Sequence, residues 1–213
     1  MKALVIGATG AVGRDLMELL LNDSAFTKVD IFVRRSAGIS HAKLEEHVVN
    51  FDKPEEWQHL VNGDVAFSCL GTTLKTAGSQ EAQYKVDYTY QYNFAKAASM
   101  NAVPAYCLVS SAGANANSRL FYPRMKGELD EAVLKLAFSD ISIVRPPALI
   151  RKNTDRATEK ISLPIIKFLN KLGILRSQTP MSTLTVAKAM INISKNPVPH
   201  NIIIPQLIRE LSV

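Results

Sequence analysis

The sequence predicts a parallel, doubly wound α/β fold, and three observations predict it. Short apolar runs alternate with longer stretches of helical periodicity as far as Val144. A glycine-rich turn stands directly between the first apolar run and the first helix. The runs are apolar throughout rather than alternating with polar residues, as strands covered on both faces are. At 213 residues the chain is read as one domain, with a core over 1–147 and a C-terminal substrate-side region over 148–213. Hydrophobic residues make up 47% and charged residues 21%, a globular composition that excludes disorder.

The elements follow in order along the chain. Strands are expected at 3–6, 29–33, 48–51, 64–68, 105–109 and 141–144. Helices are expected at 12–21, at about 79–100 and at 123–138. The long middle helix carries Val86, Tyr90, Phe94 and Ala97 on one face, close to the i, i+3, i+4 rule. After Pro146-Pro147 the alternation stops, leaving helical pieces at about 163–172 and 184–194 and a late strand at 202–204. Sheets of this kind bind ligands beyond the carboxyl ends of their strands, where the strand order reverses.

Four places carry chemistry. The first is Gly7-Ala8-Thr9-Gly10-Ala11-Val12-Gly13, between strand one and helix one. Glycines there let the backbone turn tightly and approach a pyrophosphate, which sits on the unpaired N–H groups of the helix. The turn lacks the Gly-Lys-Ser/Thr ending of a phosphate loop, which excludes a nucleoside triphosphatase reading. Candidate cofactor contacts are Gly7, Thr9, Gly10, Ala11, Val12 and Gly13. The second place is the end of strand two. An NAD site wants an acidic residue there for the ribose 2′-hydroxyl, but Asp30 comes too early and the strand ends Val33-Arg34-Arg35. Two guanidiniums suit a 2′-phosphate, so NADP(H) is the expected cofactor, with Arg14 as a possible third donor.

The third place is Ser110-Ser111 at the end of strand five, followed by Tyr122 and Lys126 at i, i+4 on one helix face. A phenol with a reference pKa of ~10 becomes a useful acid or base when a nearby ammonium lowers that value. The same spacing recurs at Tyr92 and Lys96, where no serine-bearing strand end precedes it, and is read there as a structural pair. The fourth place is the turn Cys69-Leu70-Gly71-Thr72-Thr73 after strand four, expected to pass over the cofactor ribose, together with Arg145-Pro146-Pro147 as a wall for the nicotinamide.

These residues together resemble a short-chain dehydrogenase/reductase of the atypical or extended kind. The phrases Cys-Leu-Gly-Thr-Thr at 69–73, Ser-Ser-x-Gly-Ala at 110–114 and Lys-Gly-Glu at 126–128 further resemble the small Tat-interactive-protein-like oxidoreductases. The resemblance runs from residue 1 to about 195 and is strongest over 1–147. It implies a Rossmann fold of strand order 3-2-1-4-5-6, NADP(H) binding and a Ser–Tyr–Lys site. By motif, Ser111 rather than Ser110 takes the serine role, Tyr122 is the acid/base, and Lys126 lowers its pKa and contacts the nicotinamide ribose. Asp52 matches the residue that meets the adenine, and Cys69, Leu70, Gly71, Thr72 and Pro146 match further cofactor contacts. Two features depart from the pattern. Serine and tyrosine are eleven residues apart, and Asp87 stands where extended relatives often carry asparagine.

The remaining signals bound the biology. Only Cys69 and Cys107 are present, so a disulfide framework is excluded. The opening apolar run is too short for a signal peptide and no run of ~18 apolar residues occurs, so a soluble cytoplasmic protein is expected. The four histidines show no metal-ligand spacing, and no metal is expected. Residues 145–176 hold eight basic residues against Asp155 and Glu159, a net +6 that equals the charge of the whole chain. That stretch is read as a solvated face, with nucleic acid disfavoured as a partner. The segment 164–173 is read as a flap over the substrate pocket in preference to a membrane-surface helix.

The expected function is NADP(H)-dependent hydride transfer to or from a carbonyl/alcohol carbon of a small-molecule substrate. The alternative from another class is an NADP(H)-binding redox sensor without turnover, and an epimerase or dehydratase is a weaker third. Substrate identity and oligomeric state are left open by the sequence.

Overall fold

The computed structural model describes residues 1–150 and 179–213. Its strands are β1 (Lys2–Ile6), β2 (Lys28–Val33), β3 (Leu44–Val48), β4 (Val65–Ser68), β5 (Ala105–Val109), β6 (Asp140–Val144), β7 (Leu149–Ile150), β8 (Met181–Ser182) and β9 (Ile202–Ile203). Seven of them form one sheet of order β3-β2-β1-β4-β5-β6-β9, every pair parallel. This contains the expected order and extends it by the late strand. β7 and β8 form a separate parallel ladder. The chain works outward from β1 in one direction and then returns to start again at β4, so the loops after β1 and β4 lie side by side.

Alternate residues of each strand feed two cores, which is why the strands read as unbroken apolar runs. Ala3, Val5, Ile31, Phe67 and Val109 face α1 (Ala11–Asn22). Leu4, Ile6, Phe32, Ala66 and Leu108 face the opposite layer with Trp57, Phe94 and Leu129. Trp57 ends α2 (Pro54–Trp57). α3 (Leu74–Ala77) and α4 (Gln80–Tyr84) follow β4. α4 continues through one wider π-helical turn, Lys85–Thr89, into α5 (Tyr90–Met100). The helix expected at 79–100 is therefore present, capped by Ser79, whose hydroxyl accepts the Ala82 N–H.

α6 (Phe121–Leu134) starts two residues earlier and ends four residues sooner than the helix expected at 123–138. Pro123 sits in its first turn, where a missing N–H costs nothing. A Cβ on Gly127 would fall 2.1 Å from the Ala116 nitrogen, so α6 lies directly on the 115–116 backbone. α7 (Thr183–Lys195) packs on α1, and α8 (Pro205–Glu210) closes the chain. Residues 183–203 thus complete the sheet's own core. The expected helix at 163–172, and the basic stretch beyond Ile150 up to Arg176, lie outside the described residues.

The third strand is displaced from the expected 48–51 to Leu44–Val48. It is an edge strand paired only with β2, so charged residues are tolerated along it. The apolar signal was Phe51, which is buried in the turn beyond the strand against Trp57 and Tyr90, with ring centroids 5.7 and 5.4 Å apart.

Asp30, 2% exposed in β2, is tied to the Lys2 ammonium at 2.9 Å and to His47 Nε2 at 3.2 Å. Asp30, Glu45 and His47 bring three possible ligand atoms within 4.8 Å of one another, a cluster invisible in histidine spacing. Lys2 pairs with Asp30 and Lys28 with Glu45, so ammoniums already supply the positive charge there.

Replacing Asp30 by asparagine keeps its shape and leaves Lys2 without its counter-charge, at a cost of about 1–3 kcal/mol. At roughly 2–4 °C per kcal/mol for this size, the melting temperature of Asp30→Asn falls by about 2–12 °C.

Candidate functional site

The turn after β1 is built on close backbone contact. Gly7 adopts φ +82°, and a Cβ there would lie 2.5 Å from the Cys69 carbonyl carbon. The Gly10 N–H donates to Gly7 O at 2.9 Å. Gly13, in the first turn of α1, would place a Cβ 2.1 Å from Gly7 O. Gly10 caps α1 without a side-chain hydrogen bond, and no acidic residue stands in the first turn. The leading N–H groups of α1, including those of Ala11 and Val12, are therefore open to an anion. Arg14 Nε donates back to Thr9 O at 3.0 Å, which makes it part of the turn.

Beside this turn lie two adjoining cavities across the carboxyl ends of β1, β2 and β4. One, of about 460 Å³, is lined by Gly7, Thr9, Arg34, Arg35, Phe51 and Leu70, among others. The second, of about 450 Å³, adds Gly10, Cys69, Gly71, Thr72, Lys85 and Tyr90. Gly7, Thr9, Arg34 and Leu70 line both, so the two are halves of one cleft. Arg34 and Arg35 are exposed at its edge, and neither guanidinium has a protein partner among the described residues.

Asp52 does not line either cavity but holds two residues that do: its carboxylate is 2.7 Å from Lys85 Nζ and accepts the Tyr90 hydroxyl at 2.7 Å. The Lys85 ammonium, helped by Tyr90, holds the Asp52 carboxyl below its ordinary range. Lys85, Tyr90 and Phe51 were not legible as cleft residues in the sequence. They converge only because the turn after β3 meets the π-helical turn.

The turn after β4 is fixed from beneath. Cys69 N–H donates to Ile6 O at 2.9 Å, and Thr72 N–H donates to Asp87 Oδ1 at 2.7 Å. Gln83 Nε2 donates to Asp87 Oδ2 at 3.2 Å. Burial pushes the Asp87 carboxyl above the usual carboxylate range, against the pull of Lys126 and these donors. Burial pushes the Cys69 thiol up to about 12 and the Cys107 thiol well above its ordinary value. Both cysteines are buried and free, and thiols so protonated are poor nucleophiles.

The third group is only partly assembled. Lys126 is 3% exposed, with Nζ 3.5 Å from Val109 O at the end of β5. Tyr122, one turn earlier on α6, is 41% exposed. Ser111 is half-buried, and its carbonyl accepts the Ala114 N–H at 2.9 Å. Ser110 is buried, with Oγ lacking a hydrogen-bond partner among the described residues. Among the described residues no hydrogen bond joins the side chains of Ser111, Tyr122 and Lys126, and none of the three lines the cleft cavities above. Pro146 is buried beside them, its carbonyl accepting the Ala112 N–H at 2.9 Å. Arg145, counted with the basic stretch, is spent internally on Asp130, with Nε at 2.9 Å and NH2 at 2.8 Å from Oδ2. Tyr92 stacks on Tyr88 and Lys96 is exposed, apart from the site.

Turn and cleft fit a dinucleotide: the backbone cradle has no room for a Cβ, and the volume extends from it to the two arginines. A family profile described as NAD(P)H-binding matches residues 7–197. The chain belongs to the NAD(P)H-binding family. Within it, the chain is 32% identical over 199 residues to "Protein FMP52-1, mitochondrial" of Scheffersomyces stipitis, covering 90% of this chain and 87% of that one. It is 39% identical over 152 residues to "Protein FMP52, mitochondrial" of Eremothecium gossypii, covering 70% and 67%. An oxidoreductase of the short-chain dehydrogenase/reductase family from Burkholderia thailandensis shares the fold with a TM-score of 0.72 at 17% identity, over 96% of this chain and 90% of that one. The fold is thus that of the short-chain dehydrogenase/reductases, and the cofactor class is a nicotinamide dinucleotide.

The relatives overturn the expected cytoplasmic location, since they are named mitochondrial. Two free, buried cysteines do not single out a compartment. Among the described residues no helix is long and apolar enough to cross a membrane.

Gly13→Ala gains up to about 1 kcal/mol of helix propensity, yet its methyl must push the Gly7 carbonyl aside, an overpacking cost of typically 1–3 kcal/mol or more. The clash wins: Gly13→Ala lowers the melting temperature and loses NADPH binding in a fluorescence titration. Gly71→Ala, whose Cβ would meet only Asp87 Oδ1 at 3.9 Å, melts with the parent protein.

Proposed function

We propose that the protein is an NADP(H)-dependent oxidoreductase that moves hydride to or from a carbonyl/alcohol carbon of a small molecule. The observation that carries the cofactor preference is the end of β2. Arg34 and Arg35 stand exposed at the cleft and have no partner among the described residues, while Asp30, the acidic residue of that strand, is buried against Lys2 and unable to reach a ribose. Guanidiniums there favour a 2′-phosphate over a 2′-hydroxyl.

The bound nicotinamide supplies the hydride; the chain's own residues do the rest. Gly7, Thr9, Gly10 and the first N–H groups of α1 hold the pyrophosphate, and the Cys69–Thr72 backbone covers the sugar. Asp52, already engaged by Lys85 and Tyr90, frames the adenine end, and Pro146 backs the nicotinamide side. Ser111 Oγ donates to the substrate oxygen and keeps it beside Tyr122. In the reducing direction Tyr122 Oη gives its proton to the oxygen as the carbon receives hydride, and it takes the proton back in the reverse. The Lys126 ammonium favours the phenolate that this leaves. Lys126 has a buried place next to the strand ends, which a surface lysine would not.

The exposure of Tyr122 and the lack of a hydrogen bond from it to Ser111 or Lys126 favour, as second reading, an NADP(H) sensor that binds without turnover. The Tyr122→Phe variant separates the two. Removing an acid/base group costs typically 10²–10⁴-fold in rate, so carbonyl reduction by NADPH falls at least 100-fold while NADPH affinity stays within about twofold. Unchanged turnover in the variant contradicts the role of Tyr122; NADPH binding with no turnover by the parent across a carbonyl panel favours the sensor.

A further inference from the structure

We propose that Glu46 is a positioning residue for the cofactor's 2′-phosphate: from the edge strand β3 it fixes the loop on which Arg34 and Arg35 stand. The proposal deepens the NADP(H) reading and rests on it.

β2 ends at Val33 and β3 begins at Leu44, so both guanidiniums stand at the start of the connection over 34–43. Of residues 34–42, all are exposed except Ala37. The Ala37 side chain packs against the core on the α1 side, as does that of Leu44. Its N–H donates to Glu46 Oε2 at 2.6 Å. Among the described residues no other backbone hydrogen bond ties 34–40 to the rest of the chain. The Gly38 N–H turns back within the loop onto Ser36 Oγ at 3.2 Å. The Ala37 N–H, with the Ser36 hydroxyl, holds the Glu46 carboxyl below the usual carboxylate range. Glu46 is therefore the anchor of the loop, and it is an anion while it holds it.

The sheet sets where that anchor stands. Glu46 lies opposite Ile31 in the β2–β3 register, one pleat before the Val33–Val48 pair that ends the ladder. Ala37 comes two residues after Arg35, and Ser36 between them lines the cleft together with both arginines. Glu46 itself lines neither half of the cleft. An arginine gives up much side-chain freedom when it engages an anion, and a backbone already held in place lowers the cost of binding. By charge alone a carboxylate near this strand end would disfavour a phosphate. Its oxygens are spent on loop donors, so what Glu46 contributes is order, at some electrostatic cost. This differs from the acid of an NAD site, which turns its carboxylate to the ribose 2′-hydroxyl.

The test is calorimetric titration of the full chain with NADPH and with NADH, which separates hydrogen bonding from charge. Glu46→Ala removes the acceptor and weakens NADPH about tenfold while NADH stays within about twofold, so the preference between them shrinks. Glu46→Gln keeps an oxygen for the Ala37 N–H and drops the charge, and it binds NADPH as tightly as the parent or more tightly. Amide hydrogen exchange at Ala37 in the free protein gives a readout that needs no cofactor: it quickens in Glu46→Ala and stays slow in Glu46→Gln. A loss in Glu46→Ala that falls equally on both dinucleotides, or more heavily on NADH, overturns the proposal. So does a Glu46→Gln variant as weak for NADPH as Glu46→Ala, or Ala37 exchange that Glu46→Ala leaves unchanged. A parent that prefers NADPH, with Glu46→Ala keeping that preference, overturns the proposal and leaves the 2′-phosphate reading standing. A parent that binds both dinucleotides equally overturns that reading and the proposal with it.

Discussion

Two backbones meet where no side chain fits: Gly7 lies against the Cys69–Leu70 peptide, and Gly13 lies against Gly7 itself. That contact sits where the strand order reverses, and the rest of the site depends on it. It brings the carboxyl end of β1 against that of β4 and turns the chain into α1 so that the helix presents bare N–H groups. It also leaves the cleft that runs from the turn to Arg34 and Arg35. A single methyl in this contact would separate elements that the sheet hydrogen bonds would otherwise hold in register.

A second constraint is the handling of charge under the strand ends. Asp87, Lys126, Asp130 and, in part, Arg145 are removed from water. Burying ions is unfavourable unless partners are fixed, and here they are fixed by different elements: the π-helical turn, α6 and the end of β6. Arg145 with Asp130 locks α6 to the sheet, and Asp87 accepts the Thr72 N–H of the turn above it. The helix that carries Tyr122 and Lys126 is thereby seated by electrostatics as well as by the close approach at Gly127.

Much of this was legible in the sequence because it is local. The glycine turn, the apolar runs and the arginines after Val33 each announce themselves within a few residues, and β5 lies where its apolar run begins and ends. The edge strand was misplaced because a strand with one neighbour need not be apolar, and Phe51 drew attention to the turn instead. The π-helical turn left no mark, since its residues satisfy helical periodicity before and after it. Lys85, Tyr90 and the partners of Asp87 come together only through tertiary packing, so nothing in their spacing could reveal them. Asp87 itself was visible as an unusual residue, but its partners Thr72 and Gln83 come onto its carboxylate only in the folded chain. The compartment was misjudged because it was read from a short opening apolar run and the lack of a long one, signals that do not separate the cytoplasm from an organelle.

The central claim is that the end of β2 reads a 2′-phosphate, and calorimetric titration of the protein with NADPH and NADH tests it most directly. The account predicts that NADPH binds at least tenfold more tightly, about 1.4 kcal/mol, and that Arg34→Ala with Arg35→Ala removes the difference by weakening NADPH alone. Equal affinity for the two dinucleotides, or a preference that survives loss of both guanidiniums, would contradict it.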